Sequence, residues 1–216
     1  MIDWRGIDTV LLDMDGTLLD LHFDNHFWLK HVPRRFAEKH GLDAAASERE
    51  LGDRYRKIEG TLDWYCVDHW SEALELDIPA LKEEMAHLIA VHPRVEDFLA
   101  ALKAAGKRRW LVTNAHGKSL GLKMRVTGLS PWFDRITCAH DLGLPKENPR
   151  FWGKLQTIEA FDPQRSLLID DSPSVLRSAR QYGIAHCYGI RRPDTRKPPV
   201  ELDEFEVIDG FGQIMP

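Results

Sequence analysis

The strongest indication of chemistry in this chain is a pair of aspartates one residue apart, placed directly after a short apolar run. Asp13 and Asp15 open the segment DMDGTL, residues 13–18, which follows Val10-Leu11-Leu12. In an extended strand, alternate side chains share a face, so both carboxylates can reach one site. The glycine that follows accepts backbone angles closed to other residues, so the chain can turn sharply and swing the second carboxylate away. One carboxylate can then act as a nucleophile while the other reaches the leaving group.

Two further positions have the residue types that bind an anion. Thr113 and Asn114 end the apolar run Trp110–Val112 and precede a predicted helix. A hydroxyl and backbone N–H groups before a helix start can hold a phosphate. Lys146 follows a turn and precedes another predicted helix. Each feature alone is common in ordinary turns, so the hypothesis depends on their combination with the aspartates.

A second acidic pair, Asp170 and Asp171, follows the apolar run Leu167–Ile169. Adjacent carboxylates repel one another, so a second pair at the same edge of a sheet predicts a cation. With Asp13 and Asp15 the pair makes an oxygen-rich site suited to Mg²⁺, which prefers carboxylates, water and substrate phosphate. Capping of the next helix remains an alternative role for this second pair.

These positions imply an α/β fold. From residue 95 onward, short apolar runs alternate with helical patterns, which predicts a Rossmann-like, mainly parallel sheet with helices on both faces. Ligands bind at the carboxyl ends of the strands in such sheets. The predicted strands are centred on residues 10–12, 110–112, 136–138, 167–169 and 185–188, and the helices between them on about 95–105, 118–127, 150–160 and 173–182.

Residues 21–93 break this alternation and predict helices only. The helical patterns cover roughly 24–40, 45–60, 64–76 and 79–90, and Pro33 is expected to bend the first. An all-helical segment placed straight after the first strand is typical of an insertion, which would lie over the carboxyl edge as a cap. The predicted organisation is therefore a catalytic core of residues 1–20 and 94–216, with a helical cap of residues 21–93.

Composition excludes several classes of protein. The chain has 216 residues, 43% of them hydrophobic, and a net charge of -5, which argues against a nucleic-acid polymer as partner. Cys66, Cys138 and Cys187 lie too far apart for a disulfide framework or a zinc spacing. Because there is no signal-peptide pattern and no apolar run of membrane-spanning length, we expect a cytoplasmic protein that does not bind membranes.

The predicted cap is rich in aromatic residues that could select a substrate. Asn25, Trp28 and Trp64 are the candidates for substrate specificity, since a purine base stacks well on an indole ring. The alternative is that these rings fill the core of the helical segment, because aromatic residues at helical spacing usually do so.

Taken together, the motifs resemble those of the haloacid dehalogenase superfamily of phosphohydrolases. The family's first motif, DxDGT, matches residues 13–17, and its second, a strand-ending threonine or serine, matches Thr113. Its third, a lysine before a helix, matches Lys146, and its fourth, an acidic pair at a strand end, matches residues 170–171. The likeness is closest to the bacterial GMP/IMP 5′-nucleotidase branch. The segments that carry it are residues 8–21, 23–25, 27–28, 64–66, 68, 70–72 and 113–116.

The resemblance implies a role for each motif residue. Asp13 would form an aspartyl-phosphate intermediate, and Asp15 would act first as general acid and then as general base. Thr113, the Asn114 N–H and Lys146 would hold phosphoryl oxygens. The ligands of Mg²⁺ would be the Asp13 carboxylate, the Asp15 main-chain carbonyl and a carboxylate of the second acidic pair, with Asp171 as the direct ligand and Asp170 as its support.

The function that this resemblance implies is a Mg²⁺-dependent phosphatase acting on purine nucleoside 5′-monophosphates. A phosphatase or phosphomutase for a small sugar phosphate or phosphoglycolate is the alternative among enzymes. A non-catalytic phosphate-binding protein on the same fold is the alternative from another class.

Overall fold

A six-stranded parallel sheet forms the centre of the molecule, in a computed structural model that describes residues 2–216. The strand order is β3-β2-β1-β4-β5-β6, and every neighbouring pair is parallel. The strands are β1 Thr9–Leu12, β2 Arg108–Thr113, β3 Arg135–Cys138, β4 Ser166–Ile169, β5 His186–Ile190 and β6 Glu206–Ile208. This architecture confirms the predicted Rossmann-like α/β fold.

Helices cover both faces of the sheet and also fill the segment after the first strand. The α-helices are α1 His22–His26, α2 Val32–His40, α3 Ala44–Ile58, α4 Val67–Leu74, α5 Ile78–Glu84, α6 Val95–Ala104, α7 Gly117–Thr127, α8 Ala139–Leu142, α9 Arg150–Ile158 and α10 Pro173–Tyr182. Among the short helical turns between them, Asp63–Tyr65 contributes to the site described below.

Alternation along the central strand explains the two cores of the sheet. Val10 and Leu12 pack into one apolar cluster, together with residues of α6 and α7. Leu11, between them, points to the opposite face and packs with residues of α9 and α10. This is the period of two expected for a strand buried on both faces.

The sheet order places a crevice above β1. The chain runs outward on one side through β2 and β3, and on the other through β4, β5 and β6. The carboxyl ends of β1, β2 and β4 therefore meet at the point where the strand order reverses, which is where open α/β sheets bind ligands.

Between β1 and α6 the chain forms helices and helical turns. The first helical stretch runs from α1 through a π-helical turn, Phe27–His31, into α2. Pro33 is the second residue after this turn and lies in the first turn of α2. Because proline has no N–H to donate, the regular hydrogen-bond ladder is interrupted there, and the wider turn accommodates the interruption.

This helical segment has its own apolar cluster. Its members lie between Phe27 and Met85, and include Tyr55, Trp64 and Trp70. The chain enters and leaves the segment side by side, since the Asp20 N–H donates to the Ala90 carbonyl at 2.9 Å. We propose on this basis that residues 21–93 form a cap over a core of residues 1–20 and 94–216.

The sheet extends one strand further than the sequence pattern predicts. The three residues of β6 follow a long irregular segment, and only Ile208 among them is buried. A strand this short shows little alternation, so the sequence contains no clear signal for it. Over residues 2–216, none of the helices combines the length and the apolar character needed to cross a membrane.

Candidate active site

The centre of the site is a buried lysine between two aspartates. Lys146 is 1% exposed, and its Nζ lies 2.5 Å from Asp13 Oδ1 and 2.7 Å from Asp170 Oδ2. Its third contact is the Val112 carbonyl, at 3.0 Å. An ammonium group has three N–H donors, so each donor has an acceptor. The lysine thus joins the ends of β1, β2 and β4 and fixes the direction of both carboxylates.

The residues present suit a divalent cation. Asp13, Asp170 and Asp171 each offer a carboxylate oxygen, and these oxygens lie within 4.8 Å of one another. Three carboxylates against the one ammonium of Lys146 leave two negative charges in excess. Oxygen ligands with an excess charge of this size match the preference of Mg²⁺.

The structure distinguishes the two members of the second acidic pair. Asp170 uses Oδ2 for Lys146 and accepts a hydrogen bond from the Ser172 N–H on Oδ1, at 3.0 Å. No described residue forms a hydrogen bond or ion pair of this kind with the Asp171 carboxylate. Asp171 therefore has lone pairs free for a metal, while Asp170 supports Lys146.

Burial sets the titration of these carboxyl groups. It raises the pKa of Asp13 to about 6, against the opposing charge of Lys146. Burial, with the charges of Asp13 and Asp170, raises the pKa of Asp171 well above its usual value. A cation among the three would favour their ionised forms, because opposite charge stabilises a carboxylate.

Gly16 is required by the turn after the first two aspartates. Its φ of +80° lies in the left-handed region, and a Cβ at this position would lie 2.3 Å from Asp171 Oδ2. Glycine at this position therefore allows both the turn and the close approach of the Asp171 carboxylate.

Thr113 and Asn114 occupy the end of β2 beside Lys146. The Thr113 Oγ1 accepts a hydrogen bond from the Ala115 N–H at 3.0 Å, so its own proton remains available to a ligand. Both polar atoms of the Asn114 side chain are held. Its Oδ1 accepts a hydrogen bond from the backbone N–H of Lys146, and its Nδ2 donates one to Glu147 Oε2. The amide of Asn114 thus ties residues 143–149, the loop that carries Lys146 (the lysine loop), to the end of β2.

Asp15 contacts a buried chain of charges that the sequence did not predict. Its Oδ1 lies 2.7 Å from Lys123 Nζ, and that ammonium also lies 2.6 Å from Asp24 Oδ2. Asp24 Oδ1 in turn contacts Lys82 Nζ at 3.0 Å. Burial raises the pKa of Asp15 to about 6, although the charge of Lys123 lowers it.

A cavity of about 460 Å³ lies between this sheet edge and the helical segment, within the range of small-molecule sites. All the residues predicted for the site line it, namely Asp13, Asp15, Asn25, Trp28, Trp64, Thr113, Asn114, Lys146, Asp170 and Asp171. Trp28 and Trp64 are half-buried: each packs edge-on against Tyr55, and each also lines the cavity. Both rings thus pack within the helical segment and are open to the cavity, and their role in substrate specificity stays a prediction.

Tyr65, Asn25 and Glu59 are among the polar residues of the cavity wall that lie outside the motifs. The Tyr65 hydroxyl donates to Glu147 Oε1 at 2.5 Å and so joins the helical segment to the lysine loop. Asn25, a predicted specificity residue, donates its amide to Asp194 Oδ2 at 2.8 Å. Glu59 lines the cavity and forms no ion pair with any described residue. Its position at the end of α3 follows no motif, so the sequence offered no signal for it.

Comparison with known proteins places this chain in a family. A model of the haloacid dehalogenase-like hydrolases matches residues 7–183. The chain is 40% identical over 215 residues to the GMP/IMP nucleotidase YrfG of Escherichia coli, covering 100% of this chain and 97% of the relative. It is 27% identical to a phosphoglycolate phosphatase of Pseudomonas putida, over 96% of this chain and 78% of the relative.

The fold agrees with a solved structure of a phosphatase. The crystal structure of a HAD phosphatase from Thermococcus onnurineus matches with a TM-score of 0.77 and 23% identity, over 93% of each chain. That likeness supports the fold, and the family model spans both the DMDGT segment and the acidic pair at 170–171. The chain belongs to the haloacid dehalogenase-like hydrolases.

Proposed function

We propose that this enzyme is a Mg²⁺-dependent phosphatase that hydrolyses purine nucleoside 5′-monophosphates, GMP and IMP in particular, through an aspartyl-phosphate. The observation that carries the proposal is the 40% identity to a GMP/IMP nucleotidase over the whole chain. The cavity supports it, since aromatic walls on one side face carboxylates and a lysine on the other.

In the first step, an oxygen of Asp13 attacks phosphorus and the bond from phosphorus to the ribose 5′-oxygen breaks. The other oxygen of this carboxylate, Oδ1, is held by the ammonium of Lys146. Asp15 delivers a proton to the departing 5′-oxygen, and a pKa of about 6 allows it to carry that proton near neutral pH. Thr113 and the Asn114 N–H bind the phosphoryl oxygens, where negative charge accumulates.

In the second step, water attacks the aspartyl-phosphate and Asp15 takes its proton. Phosphate leaves, and the Asp13 carboxylate is restored. Asp15 thus serves once as acid and once as base. At the end of each turnover it is protonated again, as it was at the start.

The Asp13 and Asp171 carboxylates and the Asp15 main-chain carbonyl would hold Mg²⁺, as the excess negative charge of the site suggests. When bound, the cation supplies positive charge beside the phosphoryl group. Asp170 keeps Lys146 in place.

The base would lie between the rings of the helical segment. Trp28 and Trp64 offer stacking surfaces, worth about 1–3 kcal/mol per base. Glu59 lines the cavity, and its carboxylate would accept the N1–H that hypoxanthine and guanine carry. Adenine has an acceptor at N1 instead, which would face that carboxylate without a proton between them.

A phosphatase for phosphoglycolate is the second candidate, supported by the Pseudomonas putida relative. Such a substrate has no base, so it would leave the aromatic part of the cavity without a ligand.

Phosphate release from GMP, IMP, AMP, CMP and phosphoglycolate, with Mg²⁺ and with EDTA, tests the proposal. We expect the largest kcat/KM for GMP and IMP, and no turnover in EDTA until Mg²⁺ is restored. Asp13→Asn should be folded and inactive, since an amide is a poor nucleophile. A preference for phosphoglycolate would overturn the substrate, and full turnover in metal-free buffer would overturn the metal.

A further inference from the structure

The buried charges beside Asp15 form an alternating chain that the proposed reaction does not use. Asp15, Lys123, Asp24 and Lys82 follow one another at 2.7, 2.6 and 3.0 Å. The side chains of Lys123 and Lys82 are 1% and 4% exposed, and the Asp24 side chain is 17% exposed.

These four residues come from both parts of the molecule. Asp15 follows β1 and Lys123 lies on α7, whereas Asp24 lies on α1 and Lys82 on α5. Lys82 Nζ also lies over the Phe27 and Phe23 rings, at 4.5 and 4.9 Å from their centres. The chain of charges therefore links the proposed acid to the helical segment above it.

Stability alone does not account for this arrangement. Removing charges from water costs several kcal/mol per ion, and well-packed apolar residues often replace buried ion pairs without loss of stability. Two buried lysines at one interface thus point to a role beyond packing. An exposed ion pair, Arg125 with Glu83 at 2.6 Å, already joins the same helices α7 and α5.

The shortest contact between Lys123 and Asp15 is made through Asp15 Oδ1. Asp15 Oδ1 is buried and receives no aligned hydrogen bond from the described residues, so the charge of Lys123 compensates it. The Asp15 side chain is 21% exposed, and this exposure lies outside the buried Oδ1. Asp15 itself lines the cavity.

We propose that Lys123 is a positioning residue for Asp15: it fixes Oδ1 so that Oδ2 faces the leaving group, and Asp24 and Lys82 hold Lys123 in place from the cap. The proposal rests on the role of Asp15 as general acid. Placement of the acid then depends on the contact between cap and core, because Lys123 is held jointly by residues of both.

Two substrates of similar shape separate this role from a structural one. Phenyl phosphate has a basic leaving group that needs a proton, whereas 4-nitrophenyl phosphate has a leaving group that departs readily without one. The value of kcat/KM covers only steps up to the first irreversible one, so later hydrolysis of the aspartyl-phosphate does not affect it. The measured quantity is the ratio of kcat/KM for phenyl phosphate to that for 4-nitrophenyl phosphate.

We expect Lys123→Met to lower this ratio by about tenfold or more, within the roughly 10²–10⁴-fold that a general acid contributes. Arg125→Met is the matched control, since it removes a cation of the same helix that pairs with α5 but does not touch Asp15. Its ratio should equal that of the wild type. If Lys123→Met does not fold, the double variant Asp24→Asn/Lys123→Met, which loses one charge of each sign, is measured in its place.

The outcomes separate this inference from the proposed function. If Asp15→Asn does not change the ratio, Asp15 is not the acid, and both its acid role in the proposed mechanism and this inference fail, while the proposed substrate is untouched. If Asp15→Asn lowers the ratio but a folded Lys123→Met does not, only the positioning role is overturned. Failure of both Lys123 variants to fold would make Lys123 a stability residue and would also overturn the inference.

Discussion

Asp170 and Asp171 are neighbours in the chain, yet their surroundings assign them different tasks. Asp170 is occupied by Lys146 and by the Ser172 N–H, whereas Asp171 lies among carboxylates. A carboxyl group whose pKa is raised in the folded state opposes folding when it is ionised at neutral pH. Burial raises the pKa of both groups, so each carries such a cost in the metal-free protein, but only Asp170 offsets it by pairing with the buried ammonium of Lys146.

We therefore expect substitutions at these two positions to have opposite effects on stability. In metal-free buffer at neutral pH, Asp171→Asn should raise the free energy of unfolding. Asp170→Asn should lower it by up to about 3–5 kcal/mol, because it weakens the buried pair with Lys146. Urea unfolding of both variants measures this difference.

The same variants should differ in their response to metal. Asp171→Asn should raise the Mg²⁺ concentration needed for half-maximal activity far more than Asp170→Asn does. A titration of activity with Mg²⁺ checks this order, and the reverse order would make Asp170 the direct ligand.

Gly16→Ala tests the turn that separates the two motif aspartates. A residue with a Cβ at this φ costs about 1–2 kcal/mol, and the added methyl group would displace the Asp171 carboxylate. We expect a modest loss of stability with a loss of activity well beyond it, measured on the folded fraction at saturating Mg²⁺. Gly143→Ala is the control, since it has a similar φ of +65° and open space around it. An equal loss of activity in both variants would contradict the steric argument.

At the scale of elements, the contact between α1, α5 and α7 depends on Asp24. Burial would raise the pKa of this carboxyl, but the charges of Lys123 and Lys82 outweigh burial and lower it to about 2. Since the pKa in the unfolded chain is near its ordinary value of 3.8, the ionised form is favoured by folding. The stabilisation is fully present above about pH 4 and is lost as the pH falls towards 2.

Asp24→Asn should accordingly reduce the free energy of unfolding by at least about 2 kcal/mol at neutral pH. The gap between wild type and variant should close as the pH falls from 4 towards 2. Asp68→Asn is the control, since its pair with Lys118 also bridges cap and core but is about half exposed, and it should cost about 1 kcal/mol or less. Urea unfolding from neutral pH down to pH 2 measures the difference in the free energy of unfolding between wild type and Asp24→Asn. A difference that is independent of pH would contradict the role of the Asp24 charge.

The elements themselves were largely predictable, and the contacts between them were not. The strands that carry the motifs are apolar runs bounded by polar residues, so β1, β2 and β4 agree with the predicted strands within about two residues. Lys82 and Lys123 are different, because a lysine in an amphipathic helix normally marks the exposed face. Their burial depends on Asp24, which is 58 and 99 residues away in the chain, and no local pattern encodes such a pairing.

For the whole molecule, the proposed function assigns chemistry and selectivity to different parts. In that proposal the motif residues at the sheet edge act on any phosphate monoester, whereas the rings above them contact only a substrate with a large body. We therefore expect the loss of a cavity ring to affect some substrates and spare others.

Trp64→Ala is the sharpest test of this division. The variant retains the Trp64 main-chain carbonyl that accepts the Trp70 indole N–H at 2.9 Å, so the packing of Trp70 keeps its polar anchor. We expect kcat/KM for GMP and IMP to fall by about 5–30-fold, the equivalent of about 1–2 kcal/mol of stacking. For 4-nitrophenyl phosphate, whose small body needs little from the cap, we expect a fall of less than about threefold. Trp4→Ala is the control, because this half-buried indole packs on Phe98, away from the cavity. Its loss should affect kcat/KM for the nucleotides and for 4-nitrophenyl phosphate to the same extent. Equal losses on nucleotide and aryl phosphate in a folded Trp64→Ala would make this ring a core residue of the cap, and they would leave the phosphatase chemistry at Asp13 untouched.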